Sequence, residues 1–236
     1  MPKYFISDTK NLDKPTIHHL KNVLRYKPGD SLIICDGHCA DYHCIVKSVE
    51  PFTLEAEDKF ECGNELPVKL ALFQSLTKGD KLDLIIQKAV EIGVSEIYPI
   101  TTERSVVKRD IDKSAAKTAR YQKIAESAAG QSMRGIIPSI NQAITFDEAV
   151  SISKNAFTIV AYENEKENSL LDIVNKNTEK AINIWIGPEG GFSAGEIKIM
   201  EKEGFEIISL GKRILRSETA AIAALAVIAS AVECKL

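Results

Sequence analysis

From residue 69 onward the chain repeats one pattern, and that pattern leaves few folds open to it. Five apolar, β-rich runs, at 69–74, 96–100, 156–162, 181–186 and 205–210, each lead into a helix or a helix-bearing segment. Strands alternating with helices imply a mostly parallel sheet covered on both faces, because a crossover between parallel strands needs a connection of helical length. The predicted helices are distinct. Residues 80–92 carry Leu84, Ile85, Lys88, Val90 and Ile92 in a mainly apolar helical pattern, 114–131 is helical, 193–203 opens with a Ser193/Glu196 capping box, and 217–234 is rich in alanine. Ligands of such α/β sheets bind beyond the carboxyl ends of the strands, so the loops there are the place to look for chemistry.

Before residue 67 the pattern differs. Short β-runs at 3–7, 31–35, 41–49 and 53–57 are bounded by Pro28-Gly29-Asp30 and by Asp36-Gly37, which reads as a hairpin turn. One helix interrupts them: Thr16 can cap it, Ile17, Leu20 and Leu24 recur at helical spacing, and His18, Lys21 and Arg25 then share the opposite stripe. Cys62-Gly63-Asn64 and Pro67 mark a linker, which predicts a β-rich domain over 1–66 and an α/β domain over 67–236. The five cysteines are an odd set without disulfide-framework spacing and are read as reduced. Cys35, His38, Cys39, His43 and Cys44 lie close together, but not at the paired spacings of structural zinc sites, so no metal is expected.

A net charge of -3 argues against a protein that coats nucleic acid without specificity. Any RNA surface must therefore be local. Residues 1–30 hold six Lys/Arg against three Asp, and 104–134 hold eight against three acids. In the second stretch Lys108 and Arg109 lead into a helix on which Lys113, Lys117 and Arg120 share a face; together with His18, Lys21 and Arg25 these are the expected RNA-phosphate contacts. No apolar run is long enough to span a bilayer and the first residues do not read as a secretory signal, so a cytoplasmic protein without membrane contact is expected.

Two strand ends stand out. At 183–193 a buried strand runs into Gly187-Pro188-Glu189-Gly190-Gly191 and then a capped helix; glycines at such a turn let the backbone approach a ligand. The spacing is not that of a dinucleotide fingerprint, and Pro188 and Glu189 would suit a pyrophosphate poorly, which counts against a nicotinamide oxidoreductase. At 209–220, Leu210, Ile214 and Leu215 beside Gly211 can sandwich a flat ring, while Arg216, Ser217 and Glu218 gather at a helix start where Ser217 can serve as the cap.

These segments, read as IGPEGGFSAGE and LGKRILRSETAAIAAL, are preceded by HHLKNVLRYKPGD, QKAVEIGVSEIYPITTERSV and AAGQSMRGIIP. In that order they closely resemble the ribosomal RNA small subunit methyltransferase E family. The resemblance covers nearly the whole chain. It implies a knotted (SPOUT) α/β domain, threaded by the chain from about Trp185 onward, behind a small PUA-like β-barrel that binds RNA. It also implies methylation of N3 of a uridine in 16S ribosomal RNA, with S-adenosylmethionine as cofactor and free RNA or the assembled small subunit as substrate. By the same resemblance the cofactor lies among Tyr162 and Glu163, Gly187 to Gly191, and Leu210, Gly211, Ile214, Leu215 and Arg216.

Family members are homodimers, and the alanines of the last helix, Ala220, Ala221, Ala223, Ala224, Ala226, Ala229 and Ala231, leave room for a second subunit or for packing within one. Methylating N3 requires loss of its proton and stabilisation of charge on O2 and O4, for which an arginine and a carboxylate suffice. Arg104, Arg134, Arg216 and Glu218 are the expected catalytic residues; for the base, Glu218, Glu189 and water stay open. The rival readings are a knotted methyltransferase acting on a ribose 2'-hydroxyl or on transfer RNA, and a non-catalytic RNA-binding assembly factor.

Overall fold

The computed structural model describes residues 3–6, 12–106 and 111–234, the side chains of 111–114 excepted. It forms two compact units, and they are not separated by the single cut after residue 66 that the sequence suggests. The first comprises Met1–Glu65 together with Ala129–Ile137, and the second Leu66–Ala128 with Pro138–Leu236.

In the first unit, β1 (Lys3–Phe5) pairs in parallel with β2 (Ser31–Cys35), followed in antiparallel order by β3 (Ala40–Val49) and β4 (Phe52–Glu61). Leu20, Leu32, Ile34, Cys44, Val46 and Phe52 form its core. The expected helix is short. α1 (Lys14–His18) is capped by Asp13, whose Oδ1 accepts from the Thr16 N–H at 2.8 Å, so Asp13 and not Thr16 is the cap. A π-helical turn follows at His19–Val23, and Arg25 has a left-handed φ of 58°. The wider turn breaks the spacing on which the His18, Lys21 and Arg25 stripe relied: Leu20 stays buried, Leu24 is exposed, and Arg25 lies beyond the helix. Lys21 pairs with Glu50 at 2.6 Å.

Residues 129–137 join this unit through a buried ion pair. Arg134, only 2% exposed, donates from Nη2 to Glu65 Oε2 at 2.5 Å and from Nε to Oε1 at 3.2 Å. Glu65 Oε1 also accepts from the N–H of Gly135 at 2.8 Å and of Ile136 at 3.2 Å. Arg134, expected as a catalytic arginine, is buried with its guanidinium paired to Glu65. A second buried pair, Lys3 with Asp41 at 2.7 Å, lies in the same unit.

The second unit runs β5 (Lys69–Ser75), α2 (Lys81–Ile92), β6 (Glu96–Thr101), α3 (Ile111–Gln131, whose last three residues fall in the first unit), β7 (Ser139–Ile140), β8 (Ile144–Thr145), α4 (Phe146–Ser153), β9 (Phe157–Ala161), α5 (Leu170–Lys176), β10 (Ala181–Ile186), α6 (Ala194–Lys202), β11 (Glu206–Ile208) and α7 (Ser217–Glu233). The sheet order is β11-β9-β10-β5-β6-β7, with β8 also on β6, and every pair is parallel. All five expected runs form strands, with 156–162 trimmed to Phe157–Ala161 and 205–210 shortened to Glu206–Ile208; β7, β8, α4 and α5 were not foreseen. α2 buries Leu82, Ile85, Ile86, Ala89 and Val90 and turns Leu84 outward.

Register places three aromatic rings side by side on β6, β5 and β10. Tyr98 stacks on Phe73 at 4.6 Å and Phe73 on Trp185 at 5.1 Å, each pair being direct cross-strand partners. Trp185 Nε1 donates to Ser153 Oγ at 3.0 Å, so the buried indole leaves no unmet donor. α7 packs on α2 and α5, and Ala220, Ala221, Ala224, Ala229 and Ala231 are buried within the chain, which uses most of its small residues for internal packing.

Replacing Glu65 by alanine leaves the Arg134 guanidinium buried and unpaired, which should destabilise the first unit by about 3–5 kcal/mol in urea unfolding. A loss below about 1 kcal/mol, the value of an exposed pair, would contradict this assignment.

Candidate functional site

The carboxyl ends of β9, β10 and β11, with the N-terminus of α7, enclose a cavity of about 530 Å³ in the second unit. Its walls come from three loops: Tyr162 and Glu163 after β9, Gly187 to Gly191 after β10, and Ser209 to Arg216 after β11. Every residue expected around the cofactor lines it. Lys81, Lys212 and Arg213 line it as well and were not singled out from the sequence, although Lys212 and Arg213 stand beside the apolar residues that were.

The glycine turn is held by close backbone contact. Gly191 donates to Pro188 O at 3.0 Å and has φ of 66°, a conformation that favours glycine. A Cβ at Gly191 would collide with the Glu163 carboxylate, and one at Gly187 would lie 3.3 Å from the Gly191 backbone. Beyond the turn, Ser193 and Glu196 form the expected capping box, and Glu196 is buried. Its Oε1 accepts from the Glu103 N–H at 2.8 Å, which ties the loop after β6 to the start of α6. That tie sets Arg104 over the turn, where Nη1 donates to Gly190 O at 3.0 Å. Arg104 does not itself line the cavity.

Ser217 was expected to cap α7. Instead Arg216 occupies the cap position, and the Ser217 hydroxyl donates to Gly187 O at 2.7 Å while accepting from Gln74 Nε2 at 3.0 Å. A fully buried glutamine at the end of β5 thereby joins the glycine turn to α7. Sequence reading missed Gln74; its signal is a buried amide that follows the apolar run Leu70 to Phe73.

Glu189 turns its carboxylate onto α2: Oε1 accepts from Lys81 Nζ at 2.9 Å and from the Lys78 N–H at 3.3 Å. Burial pushes the Glu189 carboxyl up, but the Lys81 ammonium and the N–H groups of Glu189 and Lys78 outweigh it and hold the group below the usual carboxylate range. Bonding to Glu189 in turn raises Lys81 above its ordinary value. Glu218, in the first turn of α7, has Oε2 buried and 3.7 Å from Lys81 Nζ. The rim of the cavity is polar and basic, with Lys212, Arg213 and Arg216 exposed, and Ile214 is 87% exposed on it.

The expected RNA contacts fare unevenly. Lys117 is exposed on α3, whereas Arg120 makes a two-point contact with Asp83, at 2.5 and 2.7 Å, so its charge is met locally. Lys108 and Arg109 lie outside the described residues, as does the side chain of Lys113.

Comparison with known proteins agrees with this geometry. A family model described as an RNA methyltransferase domain matches residues 64–229, and an RNA methyltransferase PUA domain matches 12–59. The ribosomal RNA small subunit methyltransferase E of Bacillus subtilis is 34% identical over 97% of this chain and 96% of its own. The crystal structure of a Neisseria gonorrhoeae ribosomal RNA small subunit methyltransferase E bound to S-adenosyl methionine superposes with a TM-score of 0.87 at 31% identity, covering 98% of this chain and 97% of that one. A putative Legionella pneumophila methyltransferase in complex with the same cofactor gives 0.85 at 30% identity, covering 98% and 96%. Joined over nearly its full length to these relatives by sequence and fold, the chain belongs to the ribosomal RNA small subunit methyltransferase E family of RNA methyltransferases.

Proposed function

We propose that the second unit transfers the methyl group of S-adenosylmethionine to N3 of a uridine in the 16S ribosomal RNA of the small subunit. The observation that carries the reading is the cavity itself, in which three strand-end loops meet around a glycine turn. It fits the cofactor in size, since small-molecule sites span roughly 300–1,000 Å³. It fits in chemistry too: Leu210, Ile214 and Leu215 offer apolar faces to an adenine ring, the backbone of Gly187 to Gly191 admits close approach, and Glu163 offers a carboxylate. When bound there, S-adenosylmethionine supplies an electrophilic methyl on a sulfonium.

The remaining work falls to the chain's own residues. Arg216 at the rim and Arg104 over the glycine turn counter the negative charge that spreads onto O2 and O4 as N3 loses its proton. Glu218 accepts that proton, directly or through water. Lys212 and Arg213 meet phosphates of the target strand, and Lys117 adds a contact that positions the RNA without reading it. The β-rich first unit, matched by a PUA domain model, contributes RNA binding. The route of the chain, from β11 at the sheet edge back to α7 on α2 and α5, supports the threaded knot, and the partly exposed Leu171 on α5 and Val227 on α7 support a homodimer in which a second copy covers them.

Three outcomes test this reading. Gly191→Ala, which drives a Cβ onto Glu163, should weaken S-adenosylmethionine binding at least about tenfold by calorimetry, the effect of a loss near 1.4 kcal/mol; wild-type affinity in this variant would remove the turn from the site. Glu218→Gln should lower kcat about 10²-fold with little change in the RNA KM, as loss of a general base does, and an unchanged rate would exclude Glu218 from that role. RNA affinity should fall steeply between 50 and 200 mM salt, by roughly 10³-fold if some six phosphates are contacted; a salt-independent Kd would contradict the basic contacts.

A further inference from the structure

We propose that Lys81 is a positioning residue of the methyl-transfer site, holding the glycine turn through Glu189 and orienting Glu218 at the start of α7. The inference rests on the function proposed above and assigns a role to a residue that sequence reading passed over.

The position of Lys81 is unfavourable for its own helix. It is the first residue of α2, where the helix dipole presents its positive end and a cation is disfavoured. Helix stability therefore does not explain a lysine there. Two carboxylates do. Glu189, from the turn after β10, takes one ammonium N–H at 2.9 Å, and Glu218, from α7, stands with Oε2 at 3.7 Å. The ammonium carries three N–H groups, so the bond to Glu189 leaves donors for a second acceptor.

Glu218 depends on the same ammonium. Its Oε2 is buried and makes no hydrogen bond among the described residues, although a buried carboxylate oxygen ordinarily finds a donor. Lys81 is the cation that faces it, and at 3.7 Å the attraction is Coulombic and lacks the alignment of a hydrogen bond. The charged groups gathered around the ammonium are Glu189, Glu218 and Arg216. Lys81 thus links the three segments that must keep register for transfer: α2, the glycine turn and the first turn of α7. It also lines the cavity, so the link sits at the wall of the site.

The test is a double-mutant cycle on the full-length protein, read first as S-adenosylmethionine binding by calorimetry and then as steady-state methyl transfer. Lys81→Met and Glu189→Gln should each raise the Kd about tenfold, within the range for a lost charged hydrogen bond. The double variant should bind no more weakly than the worse single one, because both remove one interaction. Lys81→Arg should bind within about threefold of wild type, since it keeps the charge and the donors. In turnover, Lys81→Met should lower kcat further than Glu189→Gln does, because Glu218 also loses its counter-ion. Lys81 is about one-third exposed, so its variants keep the fold and the comparison is of sites. Additive losses in the cycle, or wild-type binding by Lys81→Met, would overturn the inference while leaving the proposed function standing. A wild-type protein that does not bind S-adenosylmethionine would overturn both.

Discussion

The site depends on one buried hydroxyl. Ser217 accepts from Gln74 and donates to Gly187 O, and those two bonds join the end of β5, the turn after β10 and the start of α7. Each partner is placed by something larger than itself: Gln74 by the middle of a parallel sheet, Gly187 by a tight turn in which a Cβ at Gly191 would meet Glu163, Ser217 by a helix packed on α2 and α5. Because α7 begins there, the loop that precedes it must pass over the carboxyl ends of the strands. The cavity is the space that loop leaves against the other two. The stacked rings of Tyr98, Phe73 and Trp185 lock the strands beneath it in register, so a shift in the sheet would be felt at the turn.

Charge is organised differently in the two units. The first holds two buried structural pairs, Arg134 on Glu65 and Lys3 on Asp41. Such pairs contribute little net stability over apolar residues of the same shape, but losing one partner is costly, so the Arg134–Glu65 pair holds residues 129–137 to the unit by penalty more than by attraction. In the second unit the charges around the cavity are partly exposed. There Lys81 serves Glu189 and Glu218 together, and Lys212, Arg213 and Arg216 remain at the rim with their charge turned to solvent.

Much of the architecture was legible because local chemistry and global fold agree. The runs at 31–35 and 181–186 are strands with those bounds, and Ser193 with Glu196 forms the capping box its spacing implies. α4 carried the same signal in Thr145 and Glu148, and it was overlooked because the run it opens is short. Other residues could not be read from local pattern. Ser217 looks like a cap, yet a buried acceptor competes for its hydroxyl; Arg134 looks like a catalytic arginine, yet Glu65, distant in sequence, takes its charge. The His18, Lys21 and Arg25 stripe assumed 3.6 residues per turn, and the π turn at His19–Val23 removes that periodicity. The three loops that line the cavity were legible as strand ends, whereas Lys81 was not, because its partners lie more than a hundred residues away.

The proposed function turns on the identity of the atom that receives the methyl group. The most direct measurement is transfer of labelled methyl from S-adenosylmethionine to small ribosomal subunits from a strain lacking this gene, followed by digestion and mass spectrometry of the nucleosides. Label in 3-methyluridine at a single position of the 16S RNA is the predicted result. Label in a ribose methyl, or RNA binding without any transfer, would contradict it.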